Sequence, residues 1–171
     1  RVDLRLFFSD YEALIKKIEK EAETHLESEA SRCGRGEHTC CFEPFDLQFV
    51  EVIYLHSKMN RHFTSAQREV LIKKAEESFR KQGSLCPFSN GSGCEIYDRR
   101  PAWCRVYGTL KFSADKHEIR DMLFELSQSV FLAFSGKFLP ETGFTFSVAD
   151  TISGKFVQRF FHYLSESEKK S

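Results

Sequence analysis

The chain has 171 residues, 41% of them hydrophobic, which is enough to bury one sizeable core within the usual span of a single domain. Its 25 Lys and Arg balance 25 Asp and Glu, so no net field gathers nucleic acid or an anionic membrane around it. No apolar run approaches the roughly 20 residues that span a bilayer, and the first residues lack the apolar stretch of a secretory signal. These features predict a cytoplasmic protein with no membrane or nucleic-acid partner. A protein partner stays open, as does any segment preceding Arg1.

The first predicted element is an amphipathic helix from Ser9 to about Arg32, because Tyr11, Leu14, Ile15, Ile18, Ala22 and Leu26 recur at spacings of three and four. Ser9 with Glu12 reads as its capping box. A second helix is expected to follow Pro44 on the less regular stripe Phe45, Phe49, Val50 and Ile53, ending near Asn60. A third runs from Ser65 to Gln82, boxed by Thr64 and Gln67 and stopped at Gly83. Pro87, Asn90, Gly91, Gly93 and Pro101 then break any periodicity, which predicts an irregular loop. Val106, Leu110 and Phe112 partly alternate, and the stretch 105–112 reads as a short strand or one of a strand pair.

A fourth helix is predicted from near Asp115, boxed with Glu118, to Gly136, and a fifth from Ser147 to Leu164 with a frayed tail beyond. The 18 Phe read mostly as core. The fold class expected is therefore mainly α, one helical domain over 1–171 with irregular cysteine-rich stretches at about 33–45 and 84–108.

The six cysteines form two groups, Cys33, Cys40 and Cys41 near the end of the first helix and Cys86, Cys94 and Cys104 in the irregular loop. Two clusters that fold poorly alone are well suited to being joined by one metal centre, and thiolates are the soft ligands that zinc and iron-sulfur clusters prefer. The rival readings are a disulfide framework, which mostly rescues domains with too little core, and unrelated buried thiols. Clustering beside Gly and Pro favours the metal.

The vicinal Cys40-Cys41, the run Cys86-Pro87-Phe88, and above all Cys94-Glu95-Ile96-Tyr97-Asp98-Arg99-Arg100-Pro101-Ala102-Trp103-Cys104-Arg105-Val106-Tyr107 resemble the YkgJ-type cysteine-cluster family, whose CxxCxxCC domain is named for zinc or iron chelation. The last run is similar to that family's C-x-I-Y-x-x-R-P-x-x-C-R stretch at nearly every fixed place. The resemblance covers 33–107 and implies metal binding, zinc or iron. Since some relatives look like flagellin lysine methylases, it also implies an alternative, a metal-dependent protein-modifying enzyme. One departure is that the family pattern places cysteines at the positions of Gly34 and Glu37, where this chain has only Cys33, one residue out of step. The departure implies either that His38 or Glu37 substitutes as a ligand or that the site holds fewer metals.

Four ligands come most simply from Cys41, Cys86, Cys94 and Cys104, leaving Cys33 and Cys40 as further ligands or neighbours of the site. Six thiolates bridging two metals, or a four-iron cluster with two cysteines spare, remain open. Arg100 and Arg105 align with the family's arginines and are assigned to the site, where guanidinium groups offset thiolate charge. Tyr97 and Trp103 read as packing around it. His25, His56, His62, His117 and His162 read as surface or interfacial residues. Phosphate-cradling, metalloprotease and serine-hydrolase motifs are absent from the sequence, and no catalytic residue is assigned. The reading is a metal-binding protein with a structural, redox or accessory role.

Overall fold

A computed structural model describes residues 2–23, 39–42, 45–81, 83–107, 116–140 and 144–170. Among these, seven α-helices carry the fold: α1 (Leu4–Glu23), α2 (Phe49–His62), α3 (Ser65–Arg80), α4 (Ala102–Val106), α5 (Lys116–Ser135), α6 (Val148–Ser153) and α7 (Lys155–Lys169). Single 3-10 turns stand at Thr39–Phe42 and Tyr97–Arg99.

Helix α1 buries the expected stripe of Tyr11, Ile15, Ile18 and Ala22. It begins five residues earlier than Ser9, however. The Asp3 carboxylate accepts the Arg5 N–H at 3.0 Å, satisfying an orphan donor of the first turn, and Leu4, Phe7 and Phe8 extend the apolar stripe backwards. Ser9 is thus exposed inside the helix. The expected continuation through Leu26 to Arg32 lies outside the described residues.

Helix α2 is the centre of the packing and touches α1, α5 and α6. It buries Phe49, Val50, Glu51, Val52, Tyr54 and Leu55 within two turns, which leaves no polar face there and accounts for its irregular stripe. It starts at Phe49 rather than just after Pro44, because Leu47 is engaged in a backbone bridge with Phe146, donating and accepting at 2.7 and 3.0 Å. Its first turn is capped from another helix: Ser127 of α5, fully buried, accepts the Val50 N–H at 3.0 Å.

Helix α3 follows its sequence signals closely. Thr64 accepts the Gln67 N–H at 3.2 Å, and the Gln67 side chain accepts the Thr64 N–H at 2.8 Å. The helix packs mainly on α6, burying Leu71 and Ala75.

The expected fifth helix is two helices. Ser147 and Asp150 box the start of α6, and Gly154 at φ +80° closes it and opens α7 in another direction. That left-handed backbone suits a residue without Cβ. Rather than fraying at Leu164, α7 continues to Lys169, with Lys137 reaching across to the Ser167 hydroxyl at 2.8 Å.

The expected strand at 105–112 is not found over its described part, where Arg105 and Val106 belong to α4. Isolated bridges, Leu47 with Phe146 and Ser89 with Cys94, are the β pairing present among the described residues.

The core is strongly aromatic. Phe49 meets Phe131 edge-on at 5.3 Å and stacks on Phe160 at 5.6 Å, while Phe131, Phe144 and Tyr163 close around them. The Phe content is less uniformly internal than expected, since Phe42, Phe79, Phe134, Phe138 and Phe161 are exposed.

The cap from Ser127 supplies a direct test. Ser127→Ala leaves the Val50 N–H unpaired in the core and is expected to lower the unfolding free energy by about 1–3 kcal/mol. Ser129→Ala, on the exposed side of the same helix, should stay within about 0.5 kcal/mol. Urea unfolding of the two variants checks this, and equal losses would show that the trans cap contributes nothing.

Candidate metal centre

The site is built on 84–107, a stretch with little regular backbone of its own. Its first half is folded by Asn90, whose Oδ1 accepts the N–H groups of Ser92 at 3.0 Å and Gly93 at 2.9 Å. Gly91 takes the left-handed φ of +88° that this turn requires. The turn sets Cys94 opposite Ser89, with the Glu95 N–H donating to the Phe88 carbonyl at 2.9 Å. The Cys86 N–H donates to the Cys41 carbonyl at 2.7 Å, which ties the loop to the Thr39–Phe42 turn.

Five of the six cysteines fall among the described residues, and four of these, Cys41, Cys86, Cys94 and Cys104, are reduced thiols. They come together from three separated stretches: the turn of Cys41, the loop of Cys86 and Cys94, and helix α4. Cys86 and Cys104 pack on the buried Cys40-Cys41 pair, and Cys94 is close enough to interact electrostatically with Cys41, Cys86 and Cys104. Cys40 is disulfide-bonded, so its sulfur is not a thiolate donor in this state. The Cys41 thiol lies 4.0 Å from it. Cys33, Glu37 and His38 lie outside the described residues.

Burial dominates the chemistry of these thiols. It pushes Cys86 up to about 12, opposed by the Phe88 N–H and reinforced by Cys41 and Cys94, while the Ser89 N–H opposes it more weakly. Burial raises Cys94 as well, against the Ile96 N–H, and raises Cys104 well above the ordinary thiol range with Cys86 and Cys94 adding to the effect. Backbone N–H groups thus hydrogen-bond two of the sulfurs and favour their charged form, while neighbouring sulfurs and the loss of water oppose it. A set of this kind needs a cation to become thiolate. Four sulfur donors suit zinc or an iron-sulfur cluster in type and number. The sulfurs are gathered rather than closed: among the described residues, no group of three or more His, Cys, Asp or Glu side chains has the spacing of a finished metal site.

Arg100 and Arg105 hold the loop from behind. Arg100, only 3% exposed, donates to the Tyr97 carbonyl at 2.9 Å and the Cys104 carbonyl at 3.5 Å, and its guanidinium lies 4.0 Å from the centre of the Tyr97 ring. Arg105 donates to the carbonyls of Arg100 and Asp98, each at 2.8 Å. Both pair with Glu19 of α1, at 3.4 Å and 2.6 Å. Loop carbonyls and a carboxylate are thus among their partners, and Arg100 also interacts electrostatically with Cys94 and Cys104. Trp103 is buried in the main core, and His56 packs edge-on against Phe156 at 5.1 Å.

Two contributors have no motif to announce them. Glu19 sits on the half-buried side of α1. Glu51 is fully buried in α2, where its Oε2 accepts the Tyr11 hydroxyl at 3.0 Å and the Ala102 N–H at 3.0 Å, and its Oε1 accepts the Gln48 N–H at 3.4 Å. The bond to Ala102 satisfies an orphan donor at the start of α4 and fixes the helix that carries Cys104. The signal for Glu51 is its place in an apolar run, Phe49-Val50-Glu51-Val52-Ile53, where a solvated carboxylate is out of keeping.

Burial raises the Glu51 carboxyl above its ordinary value of 4.5, against the hydrogen bonds from Ala102, Tyr11 and Gln48. A folded-state value above the unfolded one means that stabilisation is complete below the ordinary carboxyl range and is lost as pH rises through the raised value. Glu51→Gln should therefore gain on the wild type as pH is raised from about 4 to 8. Glu51→Leu should lose about 2–4 kcal/mol throughout by stranding the Ala102 N–H and the Tyr11 hydroxyl. Unfolding curves across that pH range decide, and a wild type that gains on Glu51→Gln with rising pH would show the carboxylate to be held ionised. Comparison with protein-family models, with curated proteins and with solved structures finds no match, so this site stands on its own geometry.

Proposed function

We propose that this chain binds a metal, zinc or the iron of an iron-sulfur cluster, through Cys41, Cys86, Cys94 and Cys104, and serves a structural, redox or accessory role. The observation that supports this best is the gathering of four reduced thiols from three separated stretches of chain. Zinc on four sulfurs supplies a closed structural tie, and an iron-sulfur cluster supplies one-electron chemistry.

The chain's own residues do the rest. Cys41, Cys86, Cys94 and Cys104 would hold the cation as thiolates, giving up their protons to solvent. The N–H groups of Phe88 and Ser89 at Cys86, and of Ile96 at Cys94, spread the remaining charge. Arg100, interacting favourably with both Cys94 and Cys104, offsets the excess negative charge of a tetrathiolate site. By holding one metal, Cys41, Cys86, Cys94 and Cys104 would join the loop of Cys86 and Cys94 to the Thr39–Phe42 turn and to α4, so metal affinity and the stability of this stretch would be coupled.

A second reading, a partly oxidised cysteine framework with no metal, is favoured by the disulfide at Cys40. The two part on single substitutions. Cys86→Ser, Cys94→Ser and Cys104→Ser should each remove bound metal and lower the unfolding free energy by several kcal/mol, and Cys40→Ser should keep the metal. Native mass spectrometry of protein prepared without oxygen checks this. Equal metal content in the wild type and Cys94→Ser would exclude Cys94 from the site.

A further inference from the structure

Arg100 and Arg105 also line a cleft of about 420 Å³ between α1, α2 and the Tyr97–Arg99 turn, with no cysteine in its lining. Its lining carries five cationic side chains against three carboxylates, a local excess in a chain whose total charge is zero. Most of these charges are already matched. Glu19 serves both Arg100 and Arg105, and Glu12 accepts from the Tyr54 hydroxyl at 2.8 Å and pairs with Lys58 at 3.3 Å. Lys16 and Arg99 stand outside these ion pairs: among the described residues neither side chain makes a hydrogen bond or ion pair, though Glu12 one turn away attracts Lys16 electrostatically, and both line the cleft. Asp98, which is exposed, lines the cleft as well.

We propose that this cleft is a binding site for a small molecule bearing an oxyanion, a phosphate or a carboxylate, gripped between Lys16 of α1 and Arg99 of the Tyr97–Arg99 turn. The guanidinium of Arg99 offers paired donors to a planar or tetrahedral oxyanion, and the Lys16 ammonium adds a point charge from the facing helix. The rings of Tyr54 and Tyr97 and the side chain of Ile15 give the body of such a ligand an apolar wall. A volume of this size is at the small end of ligand sites, which points to a metabolite-sized molecule. Asp98 disfavours anions of high charge, so one oxyanion group is the better fit. The proposal is independent of what the thiols hold, since neither Lys16 nor Arg99 is a sulfur neighbour in the assignments above.

Calorimetric titration of the reduced 171-residue chain at about 50 mM salt, where screening is modest, tests this with two probes, inorganic phosphate and acetate. Saturable one-to-one binding of either supports the site, and the tighter probe identifies the oxyanion. Lys16→Gln and Arg99→Gln should each weaken that binding about tenfold or more. Lys73→Gln, an exposed cation on α3, should leave it within about twofold. Thermal midpoints of the three variants should match that of the wild type, because none of these side chains holds the fold. No saturable binding of either probe up to about 10 mM would overturn the proposal, as would a Lys73→Gln loss equal to that of Arg99→Gln.

Discussion

The stretch 84–107 must satisfy its backbone polar groups without a long helix or a sheet, and most of the site depends on how it does so. Buried N–H and carbonyl groups left unpaired each cost energy comparable to a lost hydrogen bond. Three buried or nearly buried side chains meet that demand. Glu51 accepts the first N–H of α4, Arg100 donates to the carbonyls of Tyr97 and Cys104, and Arg105 donates to those of Asp98 and Arg100. Because Glu19 pairs with both arginines, one carboxylate of α1 holds two side chains of the loop. Burying an ion pair is costly in itself, so the value of this arrangement lies in fixing one loop geometry rather than in added stability.

That geometry has two faces with different chemistry. One face gathers thiols that burial holds in the protonated form. The other lines a charged cleft in which Lys16 and Arg99 stand outside the ion pairs of Glu12 and Glu19. Arg100 belongs to both, since it lies in the cleft wall and interacts electrostatically with Cys94 and Cys104. A change in the sulfur cluster therefore has a short physical route to the cleft, through one guanidinium and the carbonyls it holds.

Much of the helical fold was legible because its signals are local. The Thr64 and Gln67 box, the stripe of α1 and the Gly136 stop at the end of α5 all act within a turn or two of chain. The misreadings have two causes, one local and one long-range. Ser9 resembles a cap, but Asp3 holds the first turn and the apolar stripe begins before Ser9. Val106 fits an alternating pattern, yet Glu51 supplies the N-terminal partner that lets 102–106 turn as a helix. The partners of Arg105 and Ala102 lie 86 and 51 residues away, beyond the reach of any local pattern. The cysteines and arginines could be assigned to one region from sequence, whereas Glu19, Glu51 and the cleft required the packing of α1 on α2 and α4.

The central claim is that four sulfurs bind one centre. X-ray absorption at the zinc and iron edges, on protein prepared and kept without oxygen, tests it most directly. The account predicts a bound metal whose nearest neighbours are sulfur, at about 2.3 Å, with no significant oxygen or nitrogen shell. Protein with no metal at either edge, or with metal surrounded mainly by oxygen and nitrogen, would contradict it.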